Sequence, residues 1–321
     1  MAIMVISIGE MKIMNKKKVL VTGGFGLVGN ALQRVCPDAI YVSSKDYDLT
    51  KEAEVKAMFE KYRPEQVIHL AAKVGGIADN INHPAEYIYQ NALINSYVIH
   101  YAYKYRVNKL IGTLSNCAYP DIAKSYPLVE EELYNGPPAP TNFSYGYSKR
   151  LLDVLIKSYK NQHKCNFLSV IPCSIYGPHD RFGEEGHYLA ALIQKIYNAN
   201  KNNEKVIKLL GRGKPLRQYI YSEDLAKIIL LLLEKYNGEG PINIAPNENL
   251  SIKQIAEIAL KATDSSSIKL AFDKSSPDGQ YRKDLCNDKL FNIIGNFRFT
   301  SLSDGIKRTY EWFKEKEEKH E

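Results

Sequence analysis

The glycines at positions 23, 26 and 29 lie between an apolar, β-branched segment and a helical one, and they constrain the fold strongly. Residues 18–22 have the composition of a buried strand, and the residues up to about Arg34 have the spacing of a helix. Glycine is needed where a strand turns tightly into a helix and where the backbone approaches a pyrophosphate. The sequence therefore predicts a dinucleotide-binding turn formed by Gly23, Gly24, Phe25, Gly26, Leu27, Val28 and Gly29.

Strand-like and helix-like segments alternate through the first half of the chain. Apolar runs at 39–42, 66–71, 109–115 and 167–171 are separated by helical patterns at 51–62, 88–105 and 148–162. This alternation predicts parallel strands covered by helices on both faces of the sheet. We therefore expect an α/β fold, a Rossmann-type doubly wound parallel sheet with a smaller C-terminal substrate-binding lobe.

The residues after the second strand bear on which dinucleotide binds. A carboxylate at the end of that strand would bond the ribose 2′-hydroxyl of NAD. The sequence instead supplies two hydroxyls and an ammonium before any acid, from Ser43, Ser44 and Lys45. These groups suit a 2′-phosphate and favour NADP(H), with NAD kept as an alternative by Asp46. Asp48 and Leu49 are candidates to flank the adenine, although Asp48 could equally cap the helix at 51–62.

The alternation weakens after residue 177, where a loop rich in Gly and Glu leads to a helical pattern at 188–198. Residues 218–221 are expected to form a late strand of the sheet. We predict an N-terminal extension over residues 1–16 and an NADP-binding Rossmann domain formed by 17–177 and about 216–248. The substrate-binding lobe would comprise 178–215 and 249–321.

A second group of residues can carry out hydride transfer at a carbonyl. Lys149 follows Tyr145 by four residues, so both would lie on one face of a helix. Ser115 ends a predicted strand, and Cys117, two residues later, would point the same way. Lys149 would lower the pKa of Tyr145 and orient the nicotinamide ribose, while the Tyr145 hydroxyl transfers the carbonyl proton. These residues predict a reductase, and Cys117 adds a candidate group for a further proton transfer.

The composition argues against several other classes of protein. The net charge is +7, from 43 basic and 36 acidic residues, and the basic residues are scattered, which argues against nucleic-acid binding. The five cysteines form no CxxC pair, so we predict no disulfide framework, no metal site and a reducing compartment. No apolar run reaches the ~18–20 residues of a membrane span. We therefore expect a cytoplasmic protein without membrane contact.

Several longer motifs resemble the extended short-chain dehydrogenase/reductases, and within them the GDP-L-fucose synthase family. The similarity extends from about residue 18 to residue 313, with its most specific motifs at 70–76, 115–120, 142–149, 176–180, 215–220, 276–283 and 310–313. The family implies NADPH-dependent 3,5-epimerisation and 4-reduction of GDP-4-keto-6-deoxy-D-mannose to GDP-L-fucose. It also implies a homodimer through the helices at 88–105 and 148–162.

The resemblance also implies a role for each matching residue. Ser115, Tyr145 and Lys149 correspond to the reductase triad, Cys117 to the epimerase base and His187 to the epimerase acid. Further NADP contacts are implied at Leu70, Ala71, Ala72 and Pro172. Contacts with a GDP-sugar substrate are implied at Val74, Gly75, Gly76, Asn142, Ser174, His187, Lys195, Arg217 and Lys283.

Two departures from the family pattern leave the exact sugar open. Cys173 replaces an expected Asn, and Leu210 stands where the family often has a Trp near the guanine. A synthase or epimerase for another GDP-4-keto deoxysugar is therefore an alternative. A 4,6-dehydratase would need an Asp-Glu pair after Ser115, and a GDP-mannose 3,5-epimerase would have a Lys in place of His187. A non-catalytic NADP-sensing scaffold is the alternative outside enzymes, although such proteins typically lose the Tyr or Lys.

Overall fold

The computed structural model describes residues 18–183, 186–275 and 280–319. The predicted extension over residues 1–16 lies outside the described residues, as does the first half of the motif at 276–283. The strands, numbered along the chain, are β1 (Val19–Thr22), β2 (Ile40–Val42), β3 (Gln66–His69), β4 (Lys109–Thr113), β5 (Phe167–Pro172), β6 (Ser174–Tyr176), β7 (Val206–Leu210), β8 (Leu216–Arg217), β9 (Tyr219–Tyr221), β10 (Ile242–Ile244), β11 (Leu250–Ser251) and β12 (Lys269–Asp273).

The α-helices are numbered in the same way. They are α1 (Leu27–Val35), α2 (Glu52–Tyr62), α3 (Ile77–Asn82), α4 (Pro84–Lys104), α5 (Phe143–His163), α6 (Tyr188–Lys201), α7 (Ser222–Lys235), α8 (Ile252–Ala262), α9 (Asp288–Ile294) and α10 (Leu302–Glu318).

Within the described residues, six parallel strands form the central sheet in the order β10-β5-β4-β3-β1-β2. The predicted Rossmann-type fold is confirmed. β1 pairs with β2 on one side and β3 on the other, so the strand order reverses between β1 and β3. Ligands of open α/β sheets bind at the carboxyl ends of the strands beside such a reversal. The catalytic and cofactor candidates follow β1, β3 and β4, and therefore lie near this edge.

Two groups of buried apolar side chains correspond to two parts of the molecule. The larger group surrounds the central sheet, where α4 packs on α5 and α1 packs on α7. The smaller group joins α6, α8 and α10 with Tyr176, Tyr221 and the parallel pair β7 and β12. The second part lies after β5 in the sequence, apart from α7 and β10, which return to the sheet. No helix in the described ranges is long and apolar enough to span a membrane.

The structure corrects one predicted strand of the central sheet. Residues 219–221 form β9, which pairs in parallel with β6 in a separate two-stranded sheet. Likewise, β8 pairs with β11 and not with the central sheet. The apolar Tyr-Ile-Tyr pattern identified a strand but could not identify its partner, because pairing is set by the connections between strands. The chain from 216 to 221 therefore connects the two parts of the molecule.

Candidate active site

The predicted dinucleotide turn connects β1 to α1, and three of its glycines, Gly23, Gly24 and Gly29, leave no room for a side chain. Gly23 has a φ of +70°, and a Cβ there would lie 2.9 Å from the main-chain nitrogen of Ala71. A Cβ on Gly29 would lie 2.4 Å from the Gly24 carbonyl group. A Cβ on Gly26 would lie 3.4 Å from the Gly23 carbonyl oxygen, an ordinary van der Waals contact, so this position tolerates a Cβ. Since α1 begins without a side-chain cap or an acid in its first turn, the turn fits a pyrophosphate.

The segment after β2 uses its first acid for its own conformation. Asp46 Oδ2 accepts hydrogen bonds from the main-chain nitrogen of Ser43 at 2.8 Å and from its hydroxyl at 2.7 Å. These bonds with Ser43 hold the pKa of the Asp46 carboxyl below its usual value. Ser44 and Lys45 are exposed beside it. One carboxylate oxygen of Asp46 is thus engaged with Ser43, while Lys45 is exposed to solvent, an arrangement that fits a 2′-phosphate.

Asp48 and Leu49, the candidates for adenine contact, form the turn before α2. Asp48 Oδ1 accepts hydrogen bonds from the Thr50 main-chain nitrogen at 3.0 Å and from the Thr50 hydroxyl at 2.6 Å. Lys51, and not Asp48, immediately precedes α2. The Leu49 side chain is buried in the larger apolar core. The side-chain contacts of both residues therefore favour a local structural role.

Ser115 and Cys117 lie in a turn beyond β4, and not on the strand that was predicted to end at Ser115. β4 ends at Thr113, Ser115 has an extended backbone, and the chain then forms the 3₁₀ helix Asn116–Ala118. The main-chain nitrogen of Cys117 donates a hydrogen bond of 3.2 Å to Ser115 Oγ. The two residues are therefore neighbours because a helical turn folds back on its cap, and strand alternation plays no part.

Tyr145 lies in the first turn of α5, which begins at Phe143 and not at residue 148 as predicted. The Ser115 side chain lies close enough to interact with the Tyr145 hydroxyl, and this interaction lowers the pKa of the phenol. One turn further, Lys149 Nζ donates a hydrogen bond of 2.8 Å to the Thr113 carbonyl and lies 5.7 Å from the centre of the Tyr145 ring. The structure thus brings Ser115, Tyr145 and Lys149 together at the carboxyl end of β4.

Burial dominates the protonation of these groups. It raises the pKa of Tyr145, the charge of Cys117 raises this pKa further, and the hydrogen bond with Ser115 opposes both. Burial also lowers the pKa of Lys149 to about 8. The expected lowering of the Tyr145 pKa by Lys149 is not found among the effects on this phenol. Tyr145 is therefore a neutral phenol, the form that can give a proton to a carbonyl oxygen.

A buried histidine that the sequence analysis did not identify connects the sheet to α5. The Thr22 hydroxyl lies 2.7 Å from His69 Nδ1, and His69 Nε2 lies 3.1 Å from Asn95 Oδ1. Asn95 in turn donates to the Ser148 carbonyl at 3.1 Å. Burial and the charge of Lys149 together lower the pKa of His69 to about 4, and the hydrogen bond with Asn95 partly opposes them. A neutral imidazole therefore links β1, β3 and α4 to the turn of α5 that carries Lys149.

Two cations from the second half of the chain lie near Cys117. Lys283 Nζ is 4.0 Å from Cys117 Sγ. Arg217, at the end of β8, donates to the Leu216 carbonyl at 2.7 Å, and the charge of Cys117 acts on its guanidinium. Burial lowers the pKa of Arg217. The thiol thus lies near two basic residues that the sequence analysis assigned to a nucleotide-sugar site.

The loop after β3 is held from both sides. The Asn80 side chain donates hydrogen bonds to the carbonyls of Gly75 at 3.1 Å and Gly76 at 2.9 Å. Arg181 donates a hydrogen bond of 2.8 Å to the Val74 carbonyl from the other part of the molecule. A cavity of about 540 Å³ lies between this loop, α6 and α10. Its walls include Gly75, Gly76, Asp180, Arg181, Gln194 and Phe313.

His187 immediately precedes α6, and its side chain is 58% exposed. Its Nδ1 lies 3.6 Å from Oδ1 of Asp180, whose side chain is only 4% exposed. The interaction with Asp180 raises the pKa of His187, while burial and the charge of Arg181 oppose this effect. Asp180 belongs to the motif at 176–180, but its role could not be predicted, because its contact with His187 forms only in the folded chain.

The remaining candidates for substrate contact differ in their surroundings. Asn142 Oδ1 is buried without a hydrogen-bond partner among the described residues, which is consistent with a ligand supplying the donor. Ser174 pairs with Tyr219 where β6 meets β9.

Lys195 is exposed on α6 and donates to the Lys208 carbonyl at 3.3 Å, without a described contact to Cys117. Leu210 is 71% exposed at the end of β7.

Known proteins resemble both the sequence and the structure. The model of the NAD dependent epimerase/dehydratase family matches residues 19–245. A GDP-L-fucose synthase of Dictyostelium discoideum is 39% identical over 93% of this chain and 96% of its own length. A GDP-L-fucose synthase of Escherichia coli is 32% identical over 95% of this chain and 99% of its own length.

Among solved structures, a GDP-L-fucose synthetase from Naegleria fowleri bound to NADP has a TM-score of 0.86. It is 36% identical in sequence and covers 95% of this chain and 96% of its own. These similarities agree with the glycine turn, the Tyr-Lys pair and the parallel sheet. The chain therefore belongs to the NAD dependent epimerase/dehydratase family, and within it to the group of GDP-L-fucose synthases that its motifs resemble.

Proposed function

We propose that the protein is an NADP-dependent epimerase and reductase that converts GDP-4-keto-6-deoxy-D-mannose to GDP-L-fucose. The observation that carries this proposal is the meeting of Tyr145, Ser115 and Cys117 in one site. A plain reductase needs the first two residues with Lys149, but a thiol against the same phenol adds a base. The relatives named above, which are GDP-L-fucose synthases, support the same substrate.

The two epimerisations and the reduction would share one carbonyl. Carbons 3 and 5 of the sugar both flank the C4 ketone, so hydrogen bonds from Ser115 and Tyr145 to its oxygen acidify both positions. Cys117 as a thiolate would take the proton from one face of each carbon. His187 would return a proton to the opposite face, which inverts the centre.

Reduction would follow at the same oxygen. NADPH, when bound, supplies the hydride that reduces C4. Tyr145 would give its phenolic proton to the C4 oxygen, and Ser115 would keep its hydrogen bond to that oxygen. Lys149, fixed by the Thr113 carbonyl, is placed to hold the nicotinamide ribose. The glycine turn, Ser43, Ser44 and Lys45 would hold the phosphates of the cofactor.

We propose that the nucleotide end of the substrate meets the basic residues of the second part of the molecule. Arg217 can bind a phosphate group with two parallel hydrogen bonds. Lys283 lies close enough to Cys117 to contact a substrate bound beside the thiol. Asn142 and the backbone of residues 74–76 would orient the sugar. Leu210 and Cys173 leave another GDP-4-keto deoxysugar as the second candidate substrate.

Assembly, domain division and location are also proposals. We propose a homodimer formed by α4 and α5, which pack together and carry the exposed side chains of Tyr89, Tyr147 and Val154. The Rossmann domain would comprise 17–177 and about 216–248, with the substrate lobe formed by 178–215 and 249–321. The described cysteines are free, which supports a reducing compartment such as the cytoplasm.

The test is incubation of the purified protein with GDP-4-keto-6-deoxy-D-mannose and NADPH. We expect NADPH oxidation together with a product that NMR identifies as GDP-L-fucose. NADH in place of NADPH should support a lower rate. Absence of NADPH oxidation would overturn the proposed function. Faster turnover of a different GDP-4-keto deoxysugar would favour the second candidate substrate.

A further inference from the structure

The carboxylate of Asp180 is buried without a full set of partners. Oδ1 accepts a hydrogen bond of 2.8 Å from the Arg181 main-chain nitrogen and lies 3.6 Å from His187 Nδ1. Oδ2 has no hydrogen-bond partner among the described residues. Burying a charged carboxylate costs free energy unless hydrogen bonds or opposite charge compensate. Asp180 is therefore poorly explained as a residue that only stabilises the loop.

The imidazole that it faces is in a different environment. His187 is 58% exposed, whereas the Asp180 side chain is 4% exposed. The buried carboxylate of Asp180 thus faces one edge of the His187 ring, and the opposite edge of the ring can contact a ligand. Because Nδ1 faces Asp180, Nε2 is the nitrogen left to meet a substrate. A separation of 3.6 Å is longer than a hydrogen bond, but such contacts often shorten when a substrate closes the site.

We propose that Asp180 is a positioning residue for His187, which it orients with Nε2 toward the sugar and stabilises in the imidazolium form. This inference rests on the proposed function, in which His187 is the acid of the epimerisation. In each inversion, one proton passes from the sugar carbon to Cys117 Sγ. A second proton passes from His187 Nε2 to the opposite face of the same carbon. Solvent then returns a proton to His187 and takes one from Cys117, so that both groups are ready for the next inversion.

Other charged groups act on this pair. The interaction with Asp180 raises the pKa of His187, and burial and Arg181 lower it. Burial raises the pKa of the Tyr219 phenol on β9, and the charge of Asp180 raises it further while that of Arg217 lowers it. Among the described residues, Asp180 is thus the group that favours the imidazolium. Removal of the Asp180 carboxylate should lower the pKa of His187. The alkaline limb of the pH–rate profile for epimerisation should therefore lie at lower pH than in the wild type.

The variant that tests the proposal is Asp180→Asn, because its amide oxygen can keep the bond from the Arg181 nitrogen. We expect inversion at C3 and C5 to fall on the order of 10- to 100-fold. Deuterium exchange from D₂O into these positions should fall less, since Cys117 still removes and returns protons on its own face. The alkaline limb of the inversion rate should move to lower pH. Wild-type inversion with an unmoved limb would overturn the proposal.

The matched control is Asp264→Asn, which removes an exposed carboxylate far along the chain. Asp264 has a φ of +53°, a conformation that Asn tolerates. This variant should keep the wild-type rate and pH profile. If wild type and control convert no substrate, the proposed function fails independently of Asp180. If both are active and Asp180→Asn matches them, the positioning role fails while the function stands.

A measurement on the wild-type protein covers the case in which Asp180→Asn does not fold. The His187 ring protons can be followed by NMR through a pH titration and assigned by comparison with His187→Gln. We expect His187 to titrate above the usual histidine range. A value at or below that range would overturn the proposal even without the variant.

Discussion

Lys283 Nζ lies 4.0 Å from Cys117 Sγ, so a lysine from the second half of the chain contacts a thiol that follows β4. The main chain of Cys117 is held as well, because its nitrogen donates a hydrogen bond to Ser115 Oγ. The thiol therefore lies between the reductase residues and a cation suited to a nucleotide sugar. This position makes the role of Cys117 separable from that of Tyr145.

Replacing the thiol should stop epimerisation and spare cofactor binding. In Cys117→Ser, a weakly acidic hydroxyl replaces the base, so exchange of solvent deuterium into C3 and C5 should fall about 100-fold or more. NMR of the recovered sugar nucleotide measures this exchange. NADPH affinity, followed by fluorescence, should not change, because the glycine turn is untouched. Undiminished exchange would remove Cys117 from its proposed role.

Removing the Tyr145 hydroxyl should have the opposite selectivity. Tyr145→Phe deletes the proton donor for the C4 oxygen, so NADPH oxidation should slow by about 100- to 10,000-fold. Deuterium exchange at C3 and C5 should persist at a reduced rate, because Cys117 and Ser115 remain. Parallel assays of NADPH absorbance and deuterium content separate the two steps. NADPH turnover at the wild-type rate would contradict the assignment of Tyr145.

The sequence predicted the fold well because its signals are local. The apolar runs of β1, β3, β4 and β5 and the glycines at 23 and 29 each depend on residues that are adjacent in the chain. The geometry of Ser115 and Cys117 was predicted on the wrong basis, since nothing in the sequence distinguished the end of a strand from a 3₁₀ turn. The start of α5 was missed because Asn142 and Ser144 weaken the helical pattern.

Contacts across loops could not be predicted at all. His69 is the last residue of a strand, and its bonds to Thr22 and Asn95 depend on how three elements pack. Asp180 likewise gains its contact with His187 only through the folding of the intervening loop. Both residues lie inside or beside motifs that were identified, but the motif alone does not tell which neighbour the side chain meets.

Cofactor preference should depend on Lys45. One carboxylate oxygen of Asp46 accepts hydrogen bonds from Ser43. The exposed ammonium of Lys45 is the positive charge available to a 2′-phosphate. We expect Lys45→Ala to lower the preference for NADPH over NADH by about 10-fold, through a weaker charge-assisted contact. Lys56→Ala, on α2, removes another exposed lysine and should leave the preference unchanged. Equal preference in both variants would exclude Lys45 as the determinant.

Two glycines of the same turn should respond differently to alanine. A Cβ on Gly29 would lie 2.4 Å from the Gly24 backbone, so Gly29→Ala should destabilise the fold by about 1–3 kcal/mol. A Cβ on Gly26 would make only an ordinary contact, 3.4 Å from the Gly23 carbonyl oxygen, so Gly26→Ala should keep the wild-type Tm but weaken NADPH binding. Thermal unfolding and NADPH titration of both variants measure the difference. A Gly26→Ala protein with wild-type affinity would show that the cofactor does not approach this glycine.

Lys149 should make stability depend on pH. Burial lowers the pKa of this lysine from 10.5 to about 8, so between these values the unfolded chain binds a proton that the folded protein has lost. The free energy of unfolding of the wild type should therefore rise with pH through this window, relative to Lys149→Met, by up to about 1.4 kcal/mol per pH unit. Below pH 8 both states are protonated, and the difference should be constant.

Urea denaturation of both proteins at several pH values measures this difference, and effects of other titrating groups cancel in the comparison. Lys56→Met provides the control, because the Lys56 side chain on α2 is exposed to solvent even though it pairs with Glu60. Its difference from wild type should stay flat across the same range. A flat difference for Lys149→Met as well would mean that Lys149 keeps its proton in the folded protein well above pH 8. In that case its ammonium would be stabilised by more than the Thr113 carbonyl to which it donates.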